Sequence, residues 1–151
     1  AAKLGFRVVA LSHGASKEAL ARGLGAHDYV DTQRISAAEG LQRLGGAALV
    51  LATAPHAAAI ASTVDGLTPR GKLMIVAVPD EPLAISAMAL ISGRSVAGWP
   101  SGIAIDSEET MRFSARTGVL PRIERFPLEA ANEAYAKMME NRVRFRAVLV
   151  P

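Results

Sequence analysis

The chain has 151 residues, about half of them apolar, and a small net charge of +3 at pH 7. This length suits one domain with its own core, and no apolar run approaches the roughly 18 to 20 residues that a membrane helix needs. Cysteine is absent, which excludes disulfides and cysteine-containing zinc sites. The basic residues are spread out and do not form a stripe suited to nucleic acid. We therefore predict a soluble, cytoplasmic protein that binds neither nucleic acid nor membranes.

The first third of the chain predicts two strands and two helices. Residues 6–11 form an apolar, β-branched run that is typical of a strand covered on both faces. Ser16 is expected to cap the helix that follows, and Gly25 to end it. Asp28–Asp31 then predicts a brief strand, and a second helix is expected over residues 36–44.

The rest of the chain continues this alternation of strands and helices. The predicted elements of its middle are strand Ala47–Ala52, helix 56–64, a turn at 68–71, strand 73–78, helix 84–91 and strand 94–99. Asp106 and Glu109 predict a capping box for a helix that ends at Gly118 and carries Met111 and Ala115 inward. A last helix from about Pro127, with an apolar face of Leu128, Ala131, Tyr135, Met138 and Met139, precedes strand 147–150.

Strands that alternate with helices of about ten residues predict an α/β fold with a doubly wound parallel sheet. Sheets of this kind bind ligands at the carboxyl ends of their strands. The periodicity alone is equally consistent with an enzyme and with a binding protein, because many functions share this architecture.

Several runs spread over the whole chain resemble one protein family. They are residues 2–11, 24–26, 29–31, 71–73, 126–129, 132–135 and 144–149. In order and spacing they are similar to the cofactor-binding domain of zinc-type medium-chain alcohol dehydrogenases. The resemblance implies a Rossmann-like sheet that is incomplete at its central first strand, because that strand and the family's glycine-rich phosphate loop would precede Ala1. Residues 1–151 would then form one partial NAD(P)-binding domain, without the family's catalytic zinc domain.

The resemblance also implies a preference between cofactors. Relatives that prefer NAD place an acidic residue after the second strand, where it binds the adenosine ribose, whereas this chain has Ser12 there. Ser12, Ser16 and Lys17 together resemble NADP-preferring members, because hydroxyls and an ammonium group can bind a 2′-phosphate that a carboxylate would repel. We therefore favour NADP over NAD. The alternative is that Ser16 only caps its helix and Lys17 is solvated.

Further cofactor contacts follow from the resemblance alone. Arg146 matches an arginine that reaches the pyrophosphate, although a surface strand arginine is the alternative. His13 and His56 receive no role, and the chain offers no catalytic residue and no metal ligand. The remaining contacts are Thr53 and Ala54 at the nicotinamide ribose, and Ala77, Val78, Pro100 and Ser101 near the nicotinamide.

The function implied is hydride transfer between NAD(P)H and an alcohol or aldehyde, with zinc only in the absent catalytic domain, so the isolated chain is predicted to be inactive. Two alternatives stay open. The chain is a non-catalytic module for self-association or interaction, or it is a fragment similar to zinc-free quinone reductases. The resemblance also implies a homodimer formed through the edge strand at residues 94–99, since unpaired strand edges favour pairing.

The missing first strand has a physical consequence. In the doubly wound order it would lie between residues 6–11 and Ala47–Ala52, so its loss leaves two inner edges unpaired. Burying unpaired backbone groups costs on the order of 1 to 3 kcal/mol each. Three outcomes follow: the sequence is a piece of a longer polypeptide, which we favour, the two flanking strands close on each other, or another chain supplies the pairing.

Overall fold

The structure is a computed structural model that describes residues 1–151. The chain divides into two compact units, Ala1–Ser101 and Gly102–Pro151. That a single domain spans the chain stays a prediction. None of the helices combines the length and the apolar character needed to cross a membrane.

Strands and helices alternate along both units. The strands of the first unit are β1 (Val9–Ser12), β2 (Asp28–Asp31), β3 (Ala47–Ala52), β4 (Leu67–Ile75) and β5 (Ser95–Gly98). Its α-helices are α1 (Glu18–Gly23), α2 (Ala37–Arg43), α3 (Ala57–Ala61) and α4 (Ala87–Leu90). The second unit contains α5 (Ala104–Thr117), β6 (Ile123–Pro127), α6 (Ala131–Met139) and β7 (Arg146–Val150). Short 3₁₀ turns lie at Ala2–Leu4, Ala15–Lys17, Val64–Gly66 and Leu128–Ala130.

The strands of the first unit form two parallel sheets. One contains β1 and β2, and the other contains β3, β4 and β5 in that order. The predicted α/β fold with parallel strands is therefore confirmed. β1 and β3 do not pair with each other, so the alternative in which the two flanking strands close on each other is wrong. Side chains join the two sheets instead, because Val9 and Leu11 of β1 pack against the core that contains Val50 and Ala52 of β3.

The core of the first unit lies between the β3–β4–β5 sheet and its helices. Leu67 and Leu73 of β4 are completely buried, and Leu41 of α2 and Ile60 of α3 pack in the same cluster. The hydroxyl of Ser36 accepts a hydrogen bond from the Glu39 N–H at 3.1 Å and so caps α2. The predicted bounds of β2 and β3 are confirmed.

Two local predictions in the first unit are wrong. Ser16 does not cap a helix: it lies inside the 3₁₀ turn that follows Gly14, and its hydroxyl is not bonded at the helix start. The turn predicted at residues 68–71 falls within the bounds of β4, so a separate turn before the strand is wrong, but these four residues have no partner in β3: pairing passes from Leu67 directly to Lys72. Arg70 has φ 61° at that point, so the strand keeps its pairing by a bulge.

In the second unit, α5 differs from its prediction in the residue at which it begins and in which side chains it buries. The helix begins after Ile103, and Asp106 lies inside its first turn, where its carboxylate accepts the Ile103 N–H at 2.8 Å. Gly118 ends the helix with φ 67°, as predicted. Met111 and Ala115 are exposed, so their inward placement is wrong.

The remaining part of the second unit is a small parallel β–α–β arrangement. β6 pairs with β7, and Phe126, Ala134 and Val143 supply its buried side chains. The apolar face expected on the last helix is wrong, because α6 buries Ala134 and leaves Leu128, Tyr135, Met138 and Met139 exposed.

Candidate cofactor site

The segment after β1 contains the residues predicted to choose between cofactors. We call Ser12–Lys17 the specificity loop. Ser12 is half-buried at the end of β1, whereas Ser16 and Lys17 are exposed. Gly14 has φ 79° and ψ 161°, a backbone conformation open essentially to glycine alone. The loop therefore turns sharply at Gly14 before the 3₁₀ turn and α1 begin.

Residues at the end of β2 hold this loop. The register pairs Ser12 with Asp31, and one carboxylate oxygen of Asp31 accepts the N–H groups of Gly14 at 2.8 Å and Gln33 at 2.9 Å. The Tyr29 hydroxyl donates to the Gly14 carbonyl at 2.6 Å. Both backbone groups of Gly14 are thus bonded to side chains of β2.

The beginning of the loop is held in the same way. The Ser12 carbonyl accepts the Thr32 N–H at 2.9 Å and the Thr32 hydroxyl at 3.2 Å. The ring of His13 lies 3.0 Å from the Gln33 side-chain amide, measured between Nε2 atoms. His13 is therefore part of the loop's contacts, and it was not given a role from the sequence.

The functional groups predicted to bind a phosphate remain free. The hydroxyls of Ser12 and Ser16 and the ammonium group of Lys17 make no hydrogen bond or ion pair within the chain. Glu18, the nearest acidic residue along the chain, pairs with Arg22 at 2.9 Å. Asp31 uses its carboxylate on backbone N–H groups, with Arg34 Nε 3.6 Å from its second oxygen. An anion at this loop would meet free donors.

The other predicted contacts of the first unit follow the carboxyl ends of β3, β4 and β5. The Ala52 carbonyl accepts the N–H groups of Val76 and Ala77 at 3.1 and 3.2 Å, and the Ile75 carbonyl accepts the Trp99 N–H at 3.0 Å. These bonds place the three strand ends side by side. The predicted residues beyond them are Thr53, Ala54, Ala77, Val78, Pro100 and Ser101, of which only Ala77 is half-buried and the rest are more exposed.

Two other residues considered from the sequence are Arg146, which was given a role, and His56, which was not. Arg146 begins β7 in the second unit, is exposed and makes no ion pair. His56 precedes α3 and makes no side-chain hydrogen bond there. No group of three or more histidine or acidic side chains is arranged to hold a metal ion.

Comparisons with known proteins agree with the fold. A family model described as zinc-binding dehydrogenase matches residues 1–116. Alcohol dehydrogenase patD of Penicillium expansum is 46% identical over 147 residues, which is 97% of this chain and 43% of that protein. NADP-dependent alcohol dehydrogenase C of Mycobacterium bovis is 31% identical over 149 residues, which is 98% of this chain and 42% of that protein.

A solved structure gives the same result. The alcohol dehydrogenase of the archaeon Aeropyrum pernix matches with a TM-score of 0.84 and 26% identity, over 96% of this chain and 43% of that one. The chain therefore belongs to the zinc-binding dehydrogenase family, a family of alcohol dehydrogenase-like oxidoreductases, and the resemblance found in the sequence is confirmed. It spans less than half the length of the relatives that it matches.

Tyr29, Asp31, Thr32 and Gln33 were not identified as site residues from the sequence. Each acts on a loop at least 15 residues away along the chain, so no local motif indicates the contact. The available signal was topological: parallel β1 and β2 end together, and Asp31 is a polar residue that closes β2 directly opposite Ser12.

Proposed function

We propose that this chain is the NADP(H)-binding part of an alcohol dehydrogenase-like oxidoreductase, which transfers hydride between the cofactor and an alcohol or aldehyde. The observation that carries the proposal is the specificity loop, with its two free serine hydroxyls and the unpaired ammonium group of Lys17. The proposal keeps the cytoplasmic location predicted from the sequence, which cell fractionation would test.

The electrostatics of the loop support NADP over NAD. A 2′-phosphate brings negative charge and strong acceptor oxygens, and charge-assisted hydrogen bonds are about twice as strong as neutral ones. Lys17 and the two serines can supply such bonds without breaking existing ones. Asp31, the acidic residue in register with Ser12, has one carboxylate oxygen on two backbone N–H groups and the other beside Arg34, so it is less available to the ribose hydroxyls that NAD carries at this position.

Calorimetric titration of the chain with two small ligands tests the cofactor preference. Adenosine 2′,5′-bisphosphate carries the distinguishing phosphate, and 5′-AMP lacks it. We expect the bisphosphate to bind about tenfold more tightly, which corresponds to about 1.4 kcal/mol, a fair magnitude for one charge-assisted bond at an exposed site. Equal affinities, or a preference for 5′-AMP, would contradict the proposal.

The remaining cofactor contacts belong to the same proposal. Thr53 and Ala54 would border the nicotinamide ribose, and Ala77, Val78 and Ser101 would approach the nicotinamide through backbone groups. Ligands of parallel sheets bind beyond the carboxyl ends of the strands, and hydrogen bonds align the ends of β3, β4 and β5. Arg146, with its unpaired guanidinium group, would bind the pyrophosphate.

We further propose that the isolated chain does not catalyse the reaction. Hydride transfer in this family is expected to need a zinc ion that polarises the carbonyl oxygen, and the side chains present do not form a metal site. The purified chain, supplied with zinc, NADPH and an aldehyde, should leave the absorbance of NADPH unchanged. Aldehyde-dependent oxidation of NADPH would refute this proposal.

A second candidate function is supported by the open strand edges. β1, β3 and β5 each pair on one side only, and exposed edges are templates for pairing with another chain. The chain would then act as a non-catalytic association module, with itself through β5 or with another protein. Light scattering and melting curves with and without NADPH separate the candidates. Dimers that form regardless of nucleotide, with no nucleotide-dependent melting shift, would favour association.

A further inference from the structure

The specificity loop depends on a glycine whose conformation must be held from outside. Gly14 lies between Ser12 and the Ser16–Lys17 pair, and its φ of 79° with ψ of 161° is one of many conformations that a glycine can adopt. Without such contacts the backbone at Gly14 would be flexible. The side chains of Ser12 on one side and of Ser16 and Lys17 on the other would then sample many separations, and the entropy lost in ordering them would weaken the binding of any ligand that contacts both.

The contacts from β2 remove this freedom. The Gly14 N–H belongs to the peptide plane before the residue and its carbonyl to the plane after it, so fixing both groups fixes both dihedral angles. Asp31 accepts the N–H at 2.8 Å and the Tyr29 hydroxyl donates to the carbonyl at 2.6 Å. A side chain at this position would meet the Gln33 amide oxygen at 3.3 Å, which shows how closely the turn after β2 covers the loop.

Tyr29 and Asp31 are themselves well anchored. They alternate with Val30 on β2, so they share one face of the strand while Val30 points the other way. Val30 is only 4% exposed, and its burial keeps the opposite face directed to the loop. Asp31 also accepts the Gln33 N–H and lies beside Arg34, so its orientation is set before any ligand binds.

We propose that Tyr29 and Asp31 are positioning residues for cofactor selection: by holding both backbone groups of Gly14, they present Ser12, Ser16 and Lys17 in one arrangement that fits a 2′-phosphate. This inference rests on the proposed function. The two residues do not touch the cofactor in this scheme, and their effect passes through the glycine.

The test compares matched variants of the 151-residue chain. Tyr29→Phe removes one hydroxyl, and Tyr135→Phe is its control, since Tyr135 is 61% exposed and its hydroxyl has no partner. Asp31→Ala removes the oxygen that accepts the Gly14 N–H, whereas Asp31→Asn keeps an amide oxygen that can accept the same bond. Asp80→Ala is the control for the loss of an exposed acidic side chain. Each variant is titrated with adenosine 2′,5′-bisphosphate and with 5′-AMP.

We expect Tyr29→Phe and Asp31→Ala to lower the ratio of the two affinities about fivefold, the equivalent of one hydrogen bond, with little change for 5′-AMP. Asp31→Asn should restore most of the ratio, and both controls should keep it. A role limited to general stability would instead weaken both ligands equally and lower the melting temperature. Unchanged ratios in Tyr29→Phe and Asp31→Ala would overturn the proposal.

A ligand-free measurement separates this proposal from the proposed function. Hydrogen exchange of the Gly14 amide, followed by NMR, reports its bond to Asp31 directly. It should quicken in Asp31→Ala and stay slow in Asp31→Asn. If the unmodified chain shows no preference for the bisphosphate, the NADP assignment fails. The positioning of Gly14 is then judged by exchange alone, and equal exchange in all variants would refute it.

Discussion

Lys17 is the side chain on which the proposed cofactor preference depends most directly. Its ammonium group is exposed and unpaired, so Lys17→Ala removes a charge without breaking a contact. We expect affinity for adenosine 2′,5′-bisphosphate to fall about five- to tenfold, in line with one charge-assisted bond, while affinity for 5′-AMP stays unchanged. Calorimetry measures both. Lys3→Ala, an equal loss of charge at another exposed lysine, is the control, and an equal fall in that variant would indicate nonspecific attraction.

Single residues also show where prediction from sequence succeeds and where it stops. Ser12, Ser16 and Lys17 are recognised because they follow a strand at short, fixed spacing, which is local information. Tyr29 and Asp31 are missed because their partner Gly14 is reached only through the pairing of β1 with β2. The wrong capping prediction for Ser16 has a similar origin. Which residue caps a helix depends on where the chain turns into it, and this chain turns at Gly14, before Ser16.

The packing of α2 against β2 can be tested by substituting a closely packed glycine of α2, with an unpacked glycine of α1 as the control. A methyl group at Gly40 of α2 would lie 2.4 Å from a methyl carbon of buried Val30. Overpacking of this kind costs about 1 to 3 kcal/mol, and the helix preference of alanine over glycine offsets roughly 1 kcal/mol of it. Gly40→Ala should therefore lower the free energy of unfolding by up to about 2 kcal/mol in urea denaturation.

Gly23 is the matched control for that helix substitution. It ends α1, and a methyl group there would meet nothing within 4 Å. Only the helix preference then acts, so Gly23→Ala should raise the free energy of unfolding by up to about 1 kcal/mol. A loss of stability in both variants would show that the packing argument at Gly40 is wrong.

Some element bounds are predicted well from local sequence, and those set by tertiary contacts are not. β2 and β3 have the predicted bounds, whereas the strand predicted at residues 6–11 is paired only over Val9–Ser12. β6 was not predicted, since Glu124 and Arg125 interrupt its pattern and its pairing with β7 alone defines it. The expected apolar face of α6 fails for a related reason: small Ala134 makes the close contact, and the larger Met138 and Met139 remain exposed.

The edge of β5 allows the proposed self-association to be tested. Gly98 is exposed on this strand, and a side chain there would meet nothing within 4 Å in the same chain. Gly98→Lys should therefore leave the melting temperature unchanged while opposing edge-to-edge pairing, because charged edge residues block it. Light scattering should show dimers of the unmodified chain and monomers of the variant. A monomeric unmodified chain, or an equally dimeric variant, would contradict pairing through β5.

The separation of the first unit into two sheets has a consequence for how it opens. The Val8 carbonyl accepts a hydrogen bond from β2, the Ser12 carbonyl from Thr32 just after β2, and the Ala52 carbonyl from the segment after β4. Because backbone groups alternate in direction along a strand, the N–H groups of Leu11 and Leu49 point to the unpaired sides. Their amides should exchange with solvent far faster than those of Ala10 and Val50. Since only side chains connect β1 to β3, each sheet can open without breaking a backbone hydrogen bond of the other, at the cost of the side-chain packing that the two sheets share.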